Sequence, residues 1–259
     1  MTAFPLPSAE KSSMPITGHL EELRSRLIKV IWTLLGGMAL SYTVSDILIG
    51  WLKRPLAADL YFFSPTEAFW VAMKVSFFAG LFLSLPVIFY QIWRFVAPGL
   101  LPNERRLALP FVLIGCLFFA LGLVFCYFVV APFALTFLVG FGERQDLKPV
   151  FSIGLYMDFL LKFLLAFGVI FELPLVITVL AKLGLVTPQF LARHRRYAVL
   201  VNAILAAVLT PTADVFNMML MMVPLLLFYE LGIWGARIFG RKPSASGAAQ
   251  EPNGAGSGA

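Results

Sequence analysis

Between Arg106 and Glu143 the chain carries no charged side chain. The run from Leu107 to Gly142 is built mostly of Leu, Phe, Val, Ala and Gly. A spanning helix needs about 20 predominantly apolar residues. This run is too long for one comfortable span and too short for two with a turn between them. Proline lacks a backbone donor and restricts the residue before it. Pro132 therefore predicts that the spanning part, about Leu107 to Val130, ends near that point and that a cap follows.

The rest of the chain agrees with a lipid setting. Hydrophobic residues make up 60% of its 259 residues and charged ones 13%, against about half and about a quarter in a soluble domain. Five further runs join the first: about Leu27–Val44, Phe69–Trp93, Ile153–Leu180, Tyr197–Leu209 and Val215–Ala236. The reading is an all-α polytopic integral membrane protein with six transmembrane helices. The fifth run is short. About thirteen residues at about 1.5 Å each reach only about 20 Å of a core about 30 Å thick. With the turn Thr210-Pro211-Thr212-Ala213-Asp214 it reads as a tight hairpin of short helices.

Lys and Arg set the orientation. Lys11, Arg24, Arg26, Lys29, Arg94, Arg105, Arg106, Lys182, Arg193, Arg195, Arg196, Arg237, Arg241 and Lys242 fall on one side of the six spans. The other side has Lys53, Arg54, Arg144 and Lys148. Both termini are thus expected in the cytoplasm. The net charge of +6 reads as orientation rather than nucleic-acid binding. Lys74 and Lys162 lie within spans near their outer ends and can snorkel. Asp158 and Lys162, four apart, make a helix-face pair.

Residues 1–13 and 243–259 are polar and rich in small residues, which predicts disordered tails around a membrane domain over 14–242. No h-region follows the first residues, so the first apolar segment reads as a retained anchor. Cys116 and Cys126 share one apolar run and read as small packing residues. No nucleotide loop, metal-spaced cluster or serine elbow is present, so no catalytic residue, cofactor or metal is expected. Gly36 and Gly37, and Gly115 with Gly122, allow close helix approach.

The acids are the informative residues. Ile16, Leu20, Leu23 and Leu27 recur at helical spacing, which predicts an amphipathic helix along the cytoplasmic interface before the chain turns into the membrane. That helix carries Glu21 and Glu22. Taken alone, Glu22 fits a solvent-facing pair with Arg26 four residues on. The next cytoplasmic segment, FVAPGLLPNERRLALPF, holds Glu104 in a turn bounded by Pro and Gly. Two carboxylates on an otherwise basic surface suit a ligand with two guanidinium groups, which carboxylates bind as planar forks. Phe95 offers an apolar or cation–π wall beside them.

At this point the segments HLEELRSRL, SPTEAF, FYQIWRFVAPGL, NERR, CYFVVAP, AFGVIFELP, LTPTADVF and YELGIWGAR resemble, in order, the TatC family of twin-arginine translocase subunits. The likeness runs from about Pro15 to Lys242. It implies a concave scaffold in the bacterial cytoplasmic (inner) membrane, part of a translocase that exports folded proteins on the proton motive force. It implies that Glu22 and Glu104 bind the paired arginines of a signal peptide, that Arg24 is the matching arginine of the first block, and that Phe95 and Pro98 frame the site. It also implies single-span TatA and TatB partners near Pro55, Thr210 and Asp214, self-association, and contact with lipids. The turn reads PTAD where many members read PPD, and Met218 stands where an amide is common, which puts polar docking there in doubt.

Glu172 lies in the fourth run with no basic residue within one turn. A mid-membrane charge costs about 2.5–3.5 kcal/mol on insertion scales. It is expected to face a concave, wetted pocket, with a neutral acid bonded to a neighbouring helix as the alternative. Pro174 weakens the local ladder. In the family this glutamate serves the translocation pocket or a partner helix. Asp214 suits an N-cap of the sixth helix. Three other functions stay open from residues alone: a proton-coupled carrier using Glu172, a membrane-embedded enzyme and a scaffold that binds no peptide.

Overall fold

A computed structural model describes residues 16–56, 58–97, 108–210, 212 and 214–240, with side chains from Leu20 onward. Both tails, Glu104, Pro98, Pro211 and Ala213 lie outside these residues. The described chain forms helices α1 (Ile16–Tyr42), α2 (Ser45–Leu52), α3 (Glu67–Val96), α4 (Ala108–Phe125), α5 (Ala131–Glu143), α6 (Ile153–Phe171), α7 (Leu173–Lys182), α8 (Pro188–Arg193), α9 (Arg195–Leu209) and α10 (Val215–Phe239). Two short strands, β1 (Leu60–Tyr61) and β2 (Phe151–Ser152), pair in parallel.

Four stretches are long and apolar enough to cross a bilayer: Glu67–Val96, Ala108–Glu143, Ile153–Lys182 and Val215–Phe239. The first helix with α2, bent by 80°, adds a fifth when the pair is taken as one span. Helix α9 has 15 residues, about 22 Å of rise, and falls short of that length as the sequence foretold.

Three local expectations are corrected. The segment around Glu22 does not lie apart and then turn; it is the start of one unbroken helix of 27 residues. The sharp turn comes at the opposite end, where Thr43 and Val44 separate α1 from α2. Apolar residues recur on α1 from Leu20 onward, so nothing breaks the ladder until Thr43. Nor does the third run end at Pro132. A π turn over Cys126–Val130 precedes the proline, and the Ala131 N–H bonds the Cys126 carbonyl. Widening the ladder there lets Pro132 sit in the first turn of α5, where its missing donor costs little. Finally, Asp158 does not pair with Lys162. Its carboxylate accepts a bond from Lys74 Nζ of α3 at 2.6 Å, and Lys162 is exposed one turn away.

The helix ends follow local chemistry. Ser152 caps α6, Thr187 caps α8 and Asp214 caps α10, each accepting a backbone N–H from three residues on. Gly184, at φ +76, closes α7. Its N–H bonds Ala181 and the Leu185 N–H reaches back to Leu180, the hydrogen-bond pattern of a left-handed C-terminal cap. Helices α6 and α7 form one stretch interrupted only at Glu172, just before Pro174.

Helix α1 lies along α3 at very short range. A Cβ on Gly80 would meet Met38 N at 2.4 Å, and one on Gly37 would meet Gly80 O at 2.8 Å. Gly122 does the same for α4 on α6, against Phe167 O at 2.6 Å. Gly36 faces open space and takes no part. The central core gathers Phe163, Phe167 and Ile170 of α6 with Met221 and Leu225 of α10, Cys126 and Val130. A second cluster joins Val71 and Val75 of α3 to Met157 and Leu160 of α6.

One end of the molecule is clasped by polar bonds. The Glu67 carboxylate accepts from Gly154 N and Phe63 N, both at 2.7 Å, and from the Ser152 hydroxyl. Tyr156 and Tyr127 donate to the Leu52 and Trp51 carbonyls at the end of α2. These bonds tie the β1–β2 pair and α2 to α3 and α6. The other end holds the start of α1, the end of α3, the α7–α8 corner and the end of α10.

Candidate functional site

Helix α1 begins beside the C-terminal end of α3, and the two together make a polar groove. Glu21, Glu22, Ser25, Arg26, Lys29 and Arg94 line it, and its volume is about 340 Å³. The α1 residues are three or four apart, so they share one helix face. Arg94 comes from the last turn of α3.

Glu22 and Arg26 form an ion pair across one turn of α1. The guanidinium does more than the surface pair read from the sequence. Nη2 also donates to the Arg94 carbonyl at 3.2 Å, and Nη1 approaches Gln91 Oε1 at 3.4 Å. Arg26 therefore couples the acid to the end of α3, where unsatisfied carbonyls and the helix dipole favour a cation. Its side chain is 11% exposed and that of Glu22 29%. Sequence reasoning missed Gln91 and the Arg94 carbonyl, since no local pattern marks a contact between residues so far apart in the chain.

The other expected residues of this site divide. Phe95 is half-buried and Arg24 is exposed, and neither lines the groove. Glu104 and Pro98 lie outside the described residues. Basic side chains dominate this end among the described residues: Arg24, Arg26, Lys29, Arg94, Lys182, Arg193, Arg195, Arg196 and Arg237.

Glu172 does not face an open, wetted pocket. It is 8% exposed, and both carboxylate oxygens lack a hydrogen-bond partner among the described residues. It sits at the α6–α7 break beside Phe119 of α4.

At the clasped end, the Thr210 hydroxyl turns inward, donating to the Ala206 carbonyl at 2.6 Å. Asp214 accepts from the Asn217 N–H at 2.7 Å and from its amide at 2.8 Å. Burial pushes the Asp214 carboxyl up, but bonds from Asn217 and Thr212 outweigh it and hold it below the usual range. Pro55 is half-buried in the turn after α2. These three residues do not form one cluster by direct hydrogen bonds. Among the described residues no group of His, Cys, Asp and Glu is arranged to hold a metal.

The fold and the groove define a class: a multi-pass α-helical membrane protein with a charged groove at its basic end. Comparison with known proteins supplies the family. Residues 18–224 match the family model described as Sec-independent protein translocase protein (TatC). The Sec-independent protein translocase protein TatC of Campylobacter jejuni is 45% identical over 222 residues, covering 83% of this chain and 90% of that protein. The TatC protein of Aquifex aeolicus is 40% identical over 235 residues, covering 88% of this chain and 97% of its own. A crystal structure of the twin-arginine translocase receptor TatC superposes with a TM-score of 0.76 at 38% identity, covering 85% of this chain and 98% of that one. The chain belongs to the TatC family. It is a component of a Sec-independent protein translocase and not a catalytic enzyme.

Proposed function

We propose that this chain is the receptor for twin-arginine signal peptides and the core around which the translocation site assembles. Glu22 and Glu104 each take one guanidinium of the arginine pair. Phe95 and Pro98 frame the site, and Arg24 belongs to its first block. The observation that supports this best is the Glu22–Arg26 pair: the groove already holds a guanidinium on the carboxylate in question. The similarity to a solved twin-arginine translocase receptor supports the reading as well.

The reading extends to topology and partners. The chain has six spans, with the short α9 as the fifth of them, and both termini are cytoplasmic in a bacterial inner membrane. The excess of Lys and Arg at the groove end supports this orientation. TatA- and TatB-type single-span proteins dock along α9 and α10 and near Pro55, Thr210 and Asp214, and copies of the receptor self-associate. Glu172 serves the inserted signal or a partner helix. The proton motive force drives export.

The test is double charge reversal. Glu22→Lys with Glu104→Lys abolishes binding of a twin-arginine signal peptide to the purified full chain and export of a folded substrate. Retained binding refutes the site. A twin-lysine peptide binds at least about tenfold more weakly, since an ammonium cannot reproduce the two-point fork.

A further inference from the structure

We infer that Arg26 is a resident stand-in for a signal-peptide arginine, which must be exchanged off Glu22 before the signal is gripped. This rests on the reading of Glu22 as a signal-peptide ligand and adds the regulation of that site. The residue is a positioning group and not itself a ligand for the peptide.

Three observations carry the inference. The first is chemical identity. A group paired with Glu22 is the Arg26 guanidinium, the same chemical group that the paired arginines present. An incoming guanidinium that engages both carboxylate oxygens as a fork must take the Oε1 that Arg26 holds.

The second is incomplete satisfaction. A guanidinium has five N–H donors. Nε of Arg26 is buried with no hydrogen-bond partner among the described residues. The bonds to Arg94 O and Gln91 Oε1, at 3.2 and 3.4 Å, lie at or beyond the long edge of the usual range. The ion pair joins Nη2 to one oxygen, Oε1. Arg26 is thus held mainly through one strong contact, at the cost of an unsatisfied donor. An incoming guanidinium approaching as a planar fork makes a better match. A lysine ammonium offers a point charge and has no such advantage over the resident.

The third is charge. The groove wall presents Arg26, Lys29 and Arg94 against Glu21 and Glu22. Adding two arginines to three resident cations is unfavourable. Moving Arg26 out to water removes one of them and keeps the number of ion pairs on Glu22 unchanged. The same movement frees Gln91 and the Arg94 carbonyl, so occupancy of Glu22 is reported to the end of α3.

The exchange makes Arg26 a threshold for binding, and its removal has the opposite sign from ordinary damage. The experiment uses the full chain in lipid nanodiscs, titrated with fluorescent synthetic signal peptides bearing twin arginine or twin lysine. Arg26→Gln tightens binding of both peptides about fivefold, the scale of one partly exposed ion pair, and leaves the ratio of their affinities unchanged, since the fraction of free sites rises equally for each. Glu22→Gln weakens twin-arginine binding. Unchanged or weaker twin-arginine binding in Arg26→Gln, with Glu22→Gln still weakened, overturns the inference and leaves the receptor reading standing. Unchanged binding in Glu22→Gln overturns both. A second measurement needs no variant. Phenylglyoxal labelling of Arg26, read by peptide mass spectrometry, rises when the twin-arginine peptide binds. Constant or reduced labelling under saturating peptide overturns the exchange.

Discussion

Substituting Gly80→Ala tests whether the groove depends on contact made far below it. The added methyl would stand 2.4 Å from Met38 N, 2.7 Å from Met38 Cα and 2.8 Å from Gly37 C. All three are backbone atoms of α1, so no side chain can swing away. Ordinary van der Waals contact begins near 3.4 Å, so α1 and α3 must part by about 1 Å at that level. Overpacking of this kind costs about 1–3 kcal/mol. Arg26 lies twelve positions before Met38, about 18 Å along the helix. Its contact with Gln91 is already 3.4 Å long and does not survive a separation of about 1 Å. Gly80→Ala therefore lowers stability in reversible detergent denaturation by about 1–3 kcal/mol and changes signal-peptide affinity as well. Gly36→Ala is the control, since nothing lies within 4 Å of its Cβ position. Equal stability of Gly80→Ala and the parent, with Gly36→Ala also neutral, refutes the close-packing argument.

Other consequences concern the opposite end and the ion pair between spans. Asp214→Ala removes the α10 cap and costs about 1 kcal/mol at neutral pH. The folded carboxyl is held below its usual value, so its contribution is full above about pH 4 and fades as pH falls further; a stability gap that widens in acid contradicts this. Reversing Lys74 or Asp158 singly to the opposite charge destabilises the α3–α6 contact, and the double exchange restores part of the loss. A double-mutant cycle there shows coupling of about 1 kcal/mol; zero coupling means that the 2.6 Å contact contributes nothing. Tyr156→Phe strands the Leu52 carbonyl and lowers denaturation stability by about 1 kcal/mol, which a calorimetric or detergent titration measures.

Much of this protein is set by one-dimensional pattern. Between Arg106 and Glu143 uncharged residues alone fix a membrane-buried helix, because lipid leaves a backbone no partner but itself. Asp214 announces a helix start through a side chain that reaches only three residues. Glu22 and Arg26 announce their pair through the helical repeat. Each of these depends on near neighbours in the chain, so the sequence suffices. Other features depend on which helix lies beside which. Lys74 joins Asp158, rather than Lys162, because α3 and α6 meet at that level. Glu172 is enclosed because α4 packs against α6 beside the break that carries it. Arg26 reaches Gln91 and Arg94, 65 and 68 residues away, because Gly37 and Gly80 bring two backbones together. Such contacts are chosen by the fit of whole surfaces, and no short stretch of sequence carries that fit.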